Sequence, residues 1–161
     1  MTDFYHMSRE LLPVGTEVAG NGRDKIDPKI EDALEARKPA GMLSRRDAVY
    51  ARPRPDFSRC GIINAGYIHR VRLTGTPQRH DLNWLLPMQM ALFKEKYRIQ
   101  YPERSKHYPE WTDALIEECC AGYWSGEASD SPVWECLALT FIVEEVLSDR
   151  PVSVSETKGR E

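Results

Sequence analysis

The chain has 161 residues, of which 41% are hydrophobic and 29% are charged. These values are typical of one globular domain with a sizeable core, and they argue against a disordered chain or two full-sized domains. No apolar run approaches the roughly 20 residues that cross a bilayer, and the first residues lack the apolar stretch of a signal peptide. We therefore expect a cytoplasmic protein without membrane contact.

The formal net charge of -3 conceals a strong asymmetry along the chain. Ten Lys or Arg residues fall between Arg37 and Arg79, where only two residues are acidic. Ten acidic residues fall between Glu110 and Asp149, where Lys and Arg are missing. Two interpretations stay open: a basic surface for phosphates or nucleic acid, or two segments that form ion pairs with each other.

The cysteines and histidines do not have metal-ligand spacing. Cys119 and Cys120 are adjacent, while Cys60 and Cys136 stand alone, so the chain has no C-x-x-C pair. Zinc ligands usually come in closely spaced pairs, and the histidines are just as scattered. We expect reduced thiols and no metal.

The first third of the chain predicts one strand and several short elements. The aromatic segment Phe4-Tyr5-His6-Met7-Ser8 predicts a strand, and the Gly- and Pro-rich residues 13–28 predict a loop. A short amphipathic helix is expected over 30–37, because the residue before Pro39 avoids helical angles. The next expected elements are a brief strand over 42–44 and one or two helical turns over 45–51.

The rest of the chain predicts longer elements. Residues 66–73 alternate in polarity, which is the clearest strand pattern in the sequence. We expect helices over 82–101 and 108–124, then apolar strands over 133–139 and 141–147. The domain is expected to span residues 1–149, and residues 150–161 to form a weakly ordered C-terminal tail.

This order of elements favours one fold class. Strands near both ends with helices between them are typical of an α+β domain rather than an alternating parallel sheet. Because the chain has no Gly-rich phosphate loop, neither a nucleoside-triphosphate site nor a Rossmann fold has support.

Four segments together resemble the ADP-ribosyltransferases. They are Phe4-Tyr5-His6-Met7-Ser8, Leu43-Ser44-Arg45-Arg46-Asp47-Ala48-Val49-Tyr50-Ala51, Ala121-Gly122-Tyr123-Trp124-Ser125-Gly126 and Val133-Trp134-Glu135-Cys136-Leu137. They look most like the His-Tyr-Glu branch, which includes poly-ADP-ribose polymerases, the diphtheria-toxin group, rifampin ADP-ribosyltransferases and DNA-modifying toxins. The resemblance covers the order of elements over most of the chain. It implies a single α+β domain with a split antiparallel β-sheet core and flanking helices, and NAD as co-substrate.

The resemblance assigns roles to two residues of the first strand. The family's histidine bonds the adenosine-side ribose of NAD, which implies this role for His6 and a helper role for Ser8. An imidazole both donates and accepts hydrogen bonds, as ribose hydroxyls require. The alternative is a histidine packed at a strand edge. Many relatives have glycine after this histidine, whereas this chain has Met7, whose bulk would narrow the cleft.

The family's tyrosine stacks on nicotinamide, which implies this role for Tyr50. Stacking is chemically unspecific, and a core tyrosine remains the alternative. The competing tyrosines are Tyr5, Tyr67 and Tyr123. The resemblance also places Ser44 and Arg45 among the NAD-binding residues, since the Arg45-Arg46 pair suits the pyrophosphate through charge-assisted hydrogen bonds.

The family's glutamate bonds the 2'-hydroxyl of the nicotinamide ribose, which implies this role for Glu135. It is the single charged residue of the apolar run 133–141, and a carboxylate among apolar neighbours is costly without a partner or a function. The alternative is the solvent face of an edge strand. The competing carboxylates are Glu144, Glu145 and Glu156.

Two functions follow as hypotheses. The resemblance implies a mono-ADP-ribosyltransferase, a toxin or phage anti-defence factor, that cleaves NAD at the nicotinamide glycosidic bond and modifies a protein or nucleic acid. The same site without an acceptor would hydrolyse NAD. The alternative is a non-catalytic inhibitor or binding module that docks on a host protein or nucleic-acid complex through its arginine-rich segment 45–72. A hydrolase with His6, His80 or His107 as base has no nucleophile motif to support it.

Overall fold

The structure is a computed structural model that describes residues 2–60 and 63–161. The strands are β1 (Phe4–Ser8), β2 (Glu17–Ala19), β3 (Val49–Ala51), β4 (Ala65–Leu73), β5 (Gln78–Asp81), β6 (Trp134–Ala138), β7 (Thr140–Val146) and β8 (Val152–Ser153). The helices are α1 (Pro28–Ala36), α2 (Leu86–Tyr97), α3 (Pro102–Ser105) and α4 (Asp113–Ser125), with 3₁₀ turns at Leu82–Leu85 and Val154–Thr157. The fold class is therefore α+β, as the sequence predicts.

The strands form two antiparallel sheets. The larger sheet has the order β1-β4-β7-β2, with β8 also paired to β4, and the smaller sheet has the order β3-β6-β5. Tyr5 and Arg52 exchange backbone hydrogen bonds of 2.8 and 2.7 Å. This bridge joins β1 to the chain that leaves β3, so the two sheets meet at these strands.

The described residues bury three apolar clusters, and the two larger ones lie on the two faces of the smaller sheet. The sheets pack against each other through residues that include Val49, Ala51 and Cys136 from the smaller sheet and Val71, Phe141 and Val143 from the larger. The other face of the smaller sheet is covered by α1 and α4, which bury Ile30, Leu34, Tyr123 and Trp124 with residues of α2. The smaller sheet is thus enclosed on both faces, and charged side chains on its strands need partners.

Local sequence features fix the two helices that cover this sheet. Asp27 caps α1 by accepting a hydrogen bond of 2.9 Å from the Lys29 amide, and Thr112 caps α4 in the same way. Helix α4 ends at Gly126, whose φ of 71° suits glycine. A Cβ on Gly122 would lie 2.3 Å from the Trp84 ring. Helix α4 therefore packs closely on the 3₁₀ turn before α2.

Several predicted elements are confirmed. The strand at the chain start is β1, the alternating segment is β4, and the two apolar runs near the other end are β6 and β7. The helix expected over 30–37 is α1. These segments bury apolar side chains with a regular period, which is why the sequence alone identifies them.

Other predictions are wrong. Residues 42–44 are irregular rather than a strand, and the helical turns expected over 45–51 are replaced by a turn followed by β3. Residues 13–28 contain the short strand β2 besides loop, while α3 and β5 were not expected. Helix α4 begins at Asp113 rather than near 108, because Thr112 is its cap. The strands missed here are three or four residues long, so pairing with a neighbour decides them more than local pattern does.

The last twelve residues also differ from the expected weakly ordered tail. They contain β8, which pairs with Ala65 and Gly66 of β4, and the 3₁₀ turn that follows. Val152 and Thr157 are buried, and the Thr157 hydroxyl accepts a hydrogen bond of 2.8 Å from the Phe57 amide. This segment therefore packs on the same body as the rest of the chain.

Candidate functional site

His6 lies where the two sheets meet. It sits opposite His69 across the β1–β4 ladder, and its ring centroid is 4.7 Å from that of Phe141. Nδ1 lies 2.9 Å from the carbonyl oxygen of Tyr50 and must be the donor, because a carbonyl only accepts. Burial lowers the pKa of His6 to about 4, even though the bond to Tyr50 raises it. At neutral pH the ring is therefore uncharged, with the proton on Nδ1 and an acceptor at Nε2.

Tyr50 stands between two cavities. Its ring centroid lies 5.4 Å from that of His6, and both residues line an open pocket of about 210 Å³ that also includes Gly20, Asn21 and Lys25. On its other side Tyr50 lines a cavity of about 20 Å³ together with Glu135. Within the hydrogen bonds of the described residues, the Tyr50 hydroxyl has no partner, so the ring is held by packing.

Glu135 is buried on β6, directly opposite His80 of β5. Its Oε1 accepts hydrogen bonds from the Tyr123 hydroxyl, at 2.6 Å, and from Nη1 of Arg45. Its Oε2 is buried and has no hydrogen-bond partner among the described residues. Since an unsatisfied buried carboxylate oxygen is costly, this atom is available to a hydroxyl or a water molecule.

Arg45 is the buried cation that holds this carboxylate. Its Nε donates to both carboxylate oxygens of Glu31 on α1, at 3.3 and 3.2 Å, and its Nη1 donates to the Tyr123 hydroxyl at 2.9 Å. All three charged side chains are 2% exposed. Burial opposes the charge on Arg45, but Tyr123 and Glu31 outweigh it and raise the Arg45 pKa. Two buried carboxylates thus share one guanidinium.

This placement bears on the expected NAD contacts of Ser44 and Arg45. A contact of Arg45 with a pyrophosphate would require the buried ion pairs to break. Its neighbour Arg46 lies near the surface, where Asp24 and Asp32 neutralise it at 2.7 and 2.6 Å. The Ser44 carbonyl accepts the amide hydrogens of the turn before β3. These residues hold the approach to β3 in place.

Ser8 is also occupied locally. It ends β1 opposite Tyr67, and its hydroxyl accepts a hydrogen bond of 3.2 Å from the Glu10 amide. The Ser8 hydroxyl is thus engaged with the backbone that follows β1, and Ser8 does not line the pocket of His6.

The competing carboxylates have surface roles. Glu144 and Glu145 on β7 pair with Arg70 at 2.8 and 3.1 Å, and Glu156 caps the last 3₁₀ turn through the Ser153 amide. Of the four candidate glutamates, Glu135 is the one that is buried and shares a cavity with Tyr50.

The competing tyrosines are also distinguished by position. Tyr5 forms the backbone bridge to Arg52, and Tyr67 lies opposite Ser8 near the end of the β1–β4 pairing. Tyr123 is buried against Arg45 and Glu135, and burial raises its pKa to about 12. Tyr50 alone among these four residues lines the pocket of His6.

Met7 narrows the space in front of Glu135, as its bulk predicts. It lines the small cavity together with Tyr50 and Phe57. A volume of about 20 Å³ holds about one water molecule. A group the size of an aromatic ring would therefore reach Glu135 only after a lining side chain had moved.

The sequence interpretation did not connect two nearby residues with Glu135: Glu31, which shares Arg45 with it, and His80, which lies opposite it on β5. Glu31 falls between Ile30 and Leu34 on the buried face of α1, and this position in the helical period could have identified it. His80 stacks on Tyr123 with ring centroids 4.6 Å apart, and its Nδ1 donates a hydrogen bond of 3.0 Å to the Tyr123 carbonyl. Asp81 next to it caps the 3₁₀ turn by accepting a hydrogen bond of 2.9 Å from the Asn83 amide.

No protein-family model matches the chain, and no curated protein matches it. Across residues 2–60 and 63–161, no cluster of three or more His, Cys, Asp or Glu side chains is arranged to hold a metal ion. In the same part of the chain, no helix combines the length and apolar character needed to span a membrane.

Proposed function

We propose that this protein is a cytoplasmic mono-ADP-ribosyltransferase that cleaves NAD at the nicotinamide glycosidic bond and transfers ADP-ribose to a macromolecular acceptor. One observation carries the proposal. Tyr50 lines both the open pocket that contains His6 and the small cavity that contains Glu135. The three residues lie 44 or more positions apart along the chain, yet they come from strands that adjoin where two antiparallel sheets meet.

Each side chain has the chemical state that this reaction needs. Neutral His6 has Nε2 free to accept a hydrogen bond from a ribose hydroxyl, because its Nδ1 donates to Tyr50. The Tyr50 ring offers a face for the nicotinamide ring to stack on. Glu135 has a buried oxygen without a partner among the described residues, and it can accept the ribose 2'-hydroxyl.

The surroundings of Glu135 favour a fixed carboxylate. Arg45 and Tyr123 both hold Oε1, so the side chain does not need to reorganise when charge develops on the ribose. A preorganised anion in a site that excludes water stabilises an oxocarbenium-like transition state more strongly than a mobile one does. In this proposal Arg45, Tyr123 and Glu31 are positioning residues, and His6, Tyr50 and Glu135 contact the substrate.

The test uses NAD labelled in its adenine ring. The purified protein is incubated with labelled NAD and with either total protein or total nucleic acid from bacterial cells, and nicotinamide is measured in parallel. A transferase releases nicotinamide and places an equal amount of label on one acceptor class. Label that appears only as free ADP-ribose indicates a hydrolase. If no mixture yields nicotinamide, the proposal is wrong.

A second candidate is a non-catalytic binding module, because arginines of segment 45–72 line an open cleft between the sheets. Such a module would bind its partner equally well after Glu135→Gln, which removes the carboxylate and leaves the cleft intact. It would also leave NAD unchanged under every condition above.

A further inference from the structure

A further large cavity does not include His6 or Glu135 in its lining. It is an open cleft of about 680 Å³ at the edge where the two sheets diverge. Arg52, Arg54, Arg59 and Arg79 line it, and Asp56 is its one acidic lining residue. We call it the arginine cleft. None of its lining residues is His6, Tyr50 or Glu135, and Arg52 is the one residue that it shares with the small cavity of Glu135.

The arginines of this cleft keep their charge available. Within the described residues, no carboxylate oxygen lies within 4 Å of any of the four guanidinium groups. The outer face of β4 differs, since Arg70 and Arg72 there are neutralised by Glu144 and Glu145. The basic segment of the sequence is therefore used in two ways. Its arginines on β4 form ion pairs with β7, and its arginines in the cleft have no carboxylate within 4 Å among the described residues.

Three of the four arginines are held in place by contacts that preserve their charge, and Arg52 is one of them, because its Nη1 donates to the Cys60 sulfur at 2.7 Å. Arg59 donates to Asn83 at 2.9 Å and to Ser131 at 3.0 and 3.1 Å, all neutral acceptors. The guanidinium of Arg79 lies 3.7 Å from the ring centroid of Trp134. The cleft floor thus presents flat aromatic and guanidinium surfaces next to positive charge.

We propose that the arginine cleft binds single-stranded nucleic acid. Four guanidinium groups line one cleft, and Arg binds phosphate oxygens through paired N–H donors. The Arg79–Trp134 stack and Phe4 give bases planar surfaces on which to stack, which is how single strands are recognised without sequence preference. A concave cleft lined by side chains from loops and strand ends suits an unpaired strand rather than the convex surface of a duplex.

The experiment measures fluorescence anisotropy of labelled 12-nucleotide oligo-dT and oligo-U with the full chain, and of a duplex of the same length. If four phosphates are neutralised, the salt dependence has a slope of about -3, so affinity falls on the order of 50-fold between 50 and 200 mM salt. We expect the single strands to bind more tightly than the duplex, and the two sugars to differ only if the 2'-hydroxyl is contacted.

Variants separate the cleft from general surface charge. Arg54→Ala combined with Arg79→Ala should weaken binding at least tenfold and lower the salt slope by about 2, whereas the matched pair Arg70→Ala and Arg72→Ala should leave both unchanged. Glu135→Gln should also bind normally, which keeps this proposal separate from the transferase proposal. Thermal unfolding of each variant checks that it is folded. The proposal is overturned if no oligonucleotide binds at 50 mM salt, if both arginine pairs weaken binding equally, or if inorganic pyrophosphate competes as strongly as an oligonucleotide.

Discussion

The Tyr123 hydroxyl on α4 donates a hydrogen bond of 2.6 Å to Oε1 of Glu135 on β6, and this contact links the helical layer to the candidate site. Arg45 donates to the same oxygen and to the same hydroxyl. One carboxylate oxygen is therefore fixed from two sides while the other remains without a partner among the described residues. The stability of the domain and the geometry of the site depend on the same few atoms.

Tyr123→Phe should destabilise the domain by about 1–3 kcal/mol, because Glu135 loses a donor and Arg45 loses an acceptor in a buried position. Urea unfolding at neutral pH measures this change. Tyr67→Phe is the matched control, since Tyr67 is only half-buried, and it should change the unfolding free energy by less than about 0.5 kcal/mol. Equal effects of the two variants would contradict the buried network.

Arg45→Ala should cost about 3–5 kcal/mol, because it leaves Glu31 and Glu135 buried without their cation. Arg46→Ala, one residue along, removes only partly exposed pairs with Asp24 and Asp32 and should destabilise the domain much less. Both changes are measured by chemical denaturation at the same ionic strength. The account of Arg45 as a buried cation is wrong if Arg46→Ala proves the more damaging change.

Stability should fall as the pH is lowered from 7 to 5. The pKa of His6 is about 4 in the folded protein and about 6.5 in the unfolded chain, so below pH 6.5 the unfolded chain binds a proton that the folded protein does not. The contribution of neutral His6 to the free energy of unfolding is therefore complete above pH 6.5, and it is lost as the pH falls towards 4. It amounts to about 2 kcal/mol between pH 7 and 5, and the lowered pKa values of His69 and His80 act in the same direction.

The matched variant is His6→Asn, whose side-chain amide can still donate to the Tyr50 carbonyl. Between pH 7 and 5, the unfolding free energy of this variant should fall by about 2 kcal/mol less than that of the wild type. Parallel curves for the two proteins would show that His6 is not a buried neutral base.

The sequence predicts those parts of the fold in which burial has a regular period. Strand β4 and the pair β6–β7 are readable because alternating or continuous apolar residues identify a strand without knowledge of its neighbours. Strand β3 is not readable, since its three residues follow two arginines and become a strand through pairing with β6. The same holds for β5. Its polar residues resemble the start of a helix in the sequence, and they form a strand because they pair with β6, where Glu135 and Leu137 lie opposite them.

The sequence draws attention to single residues of the candidate site but does not predict the contacts between them. His6 and Glu135 are conspicuous as polar residues in apolar segments. Arg45 instead resembles a surface arginine, and its burial depends on Glu31, 14 residues away, and Glu135, 90 residues away. Such long-range pairs leave no local pattern, so the sequence could not distinguish a phosphate contact from a buried ion pair.

The most direct test of the central claim is the rate of nicotinamide release from NAD by the Glu135→Gln variant. Glutamine keeps the shape of the side chain and still accepts from Tyr123 and Arg45 through Oε1, so folding can be checked by urea unfolding alongside. Glu144→Gln, which changes a half-buried carboxylate on β7 that pairs with Arg70 and Arg72, is the control. We predict that the folded Glu135→Gln protein loses at least about 100-fold in rate while Glu144→Gln keeps the wild-type rate. A folded Glu135→Gln protein that releases nicotinamide within a few-fold of the wild-type rate would contradict the account.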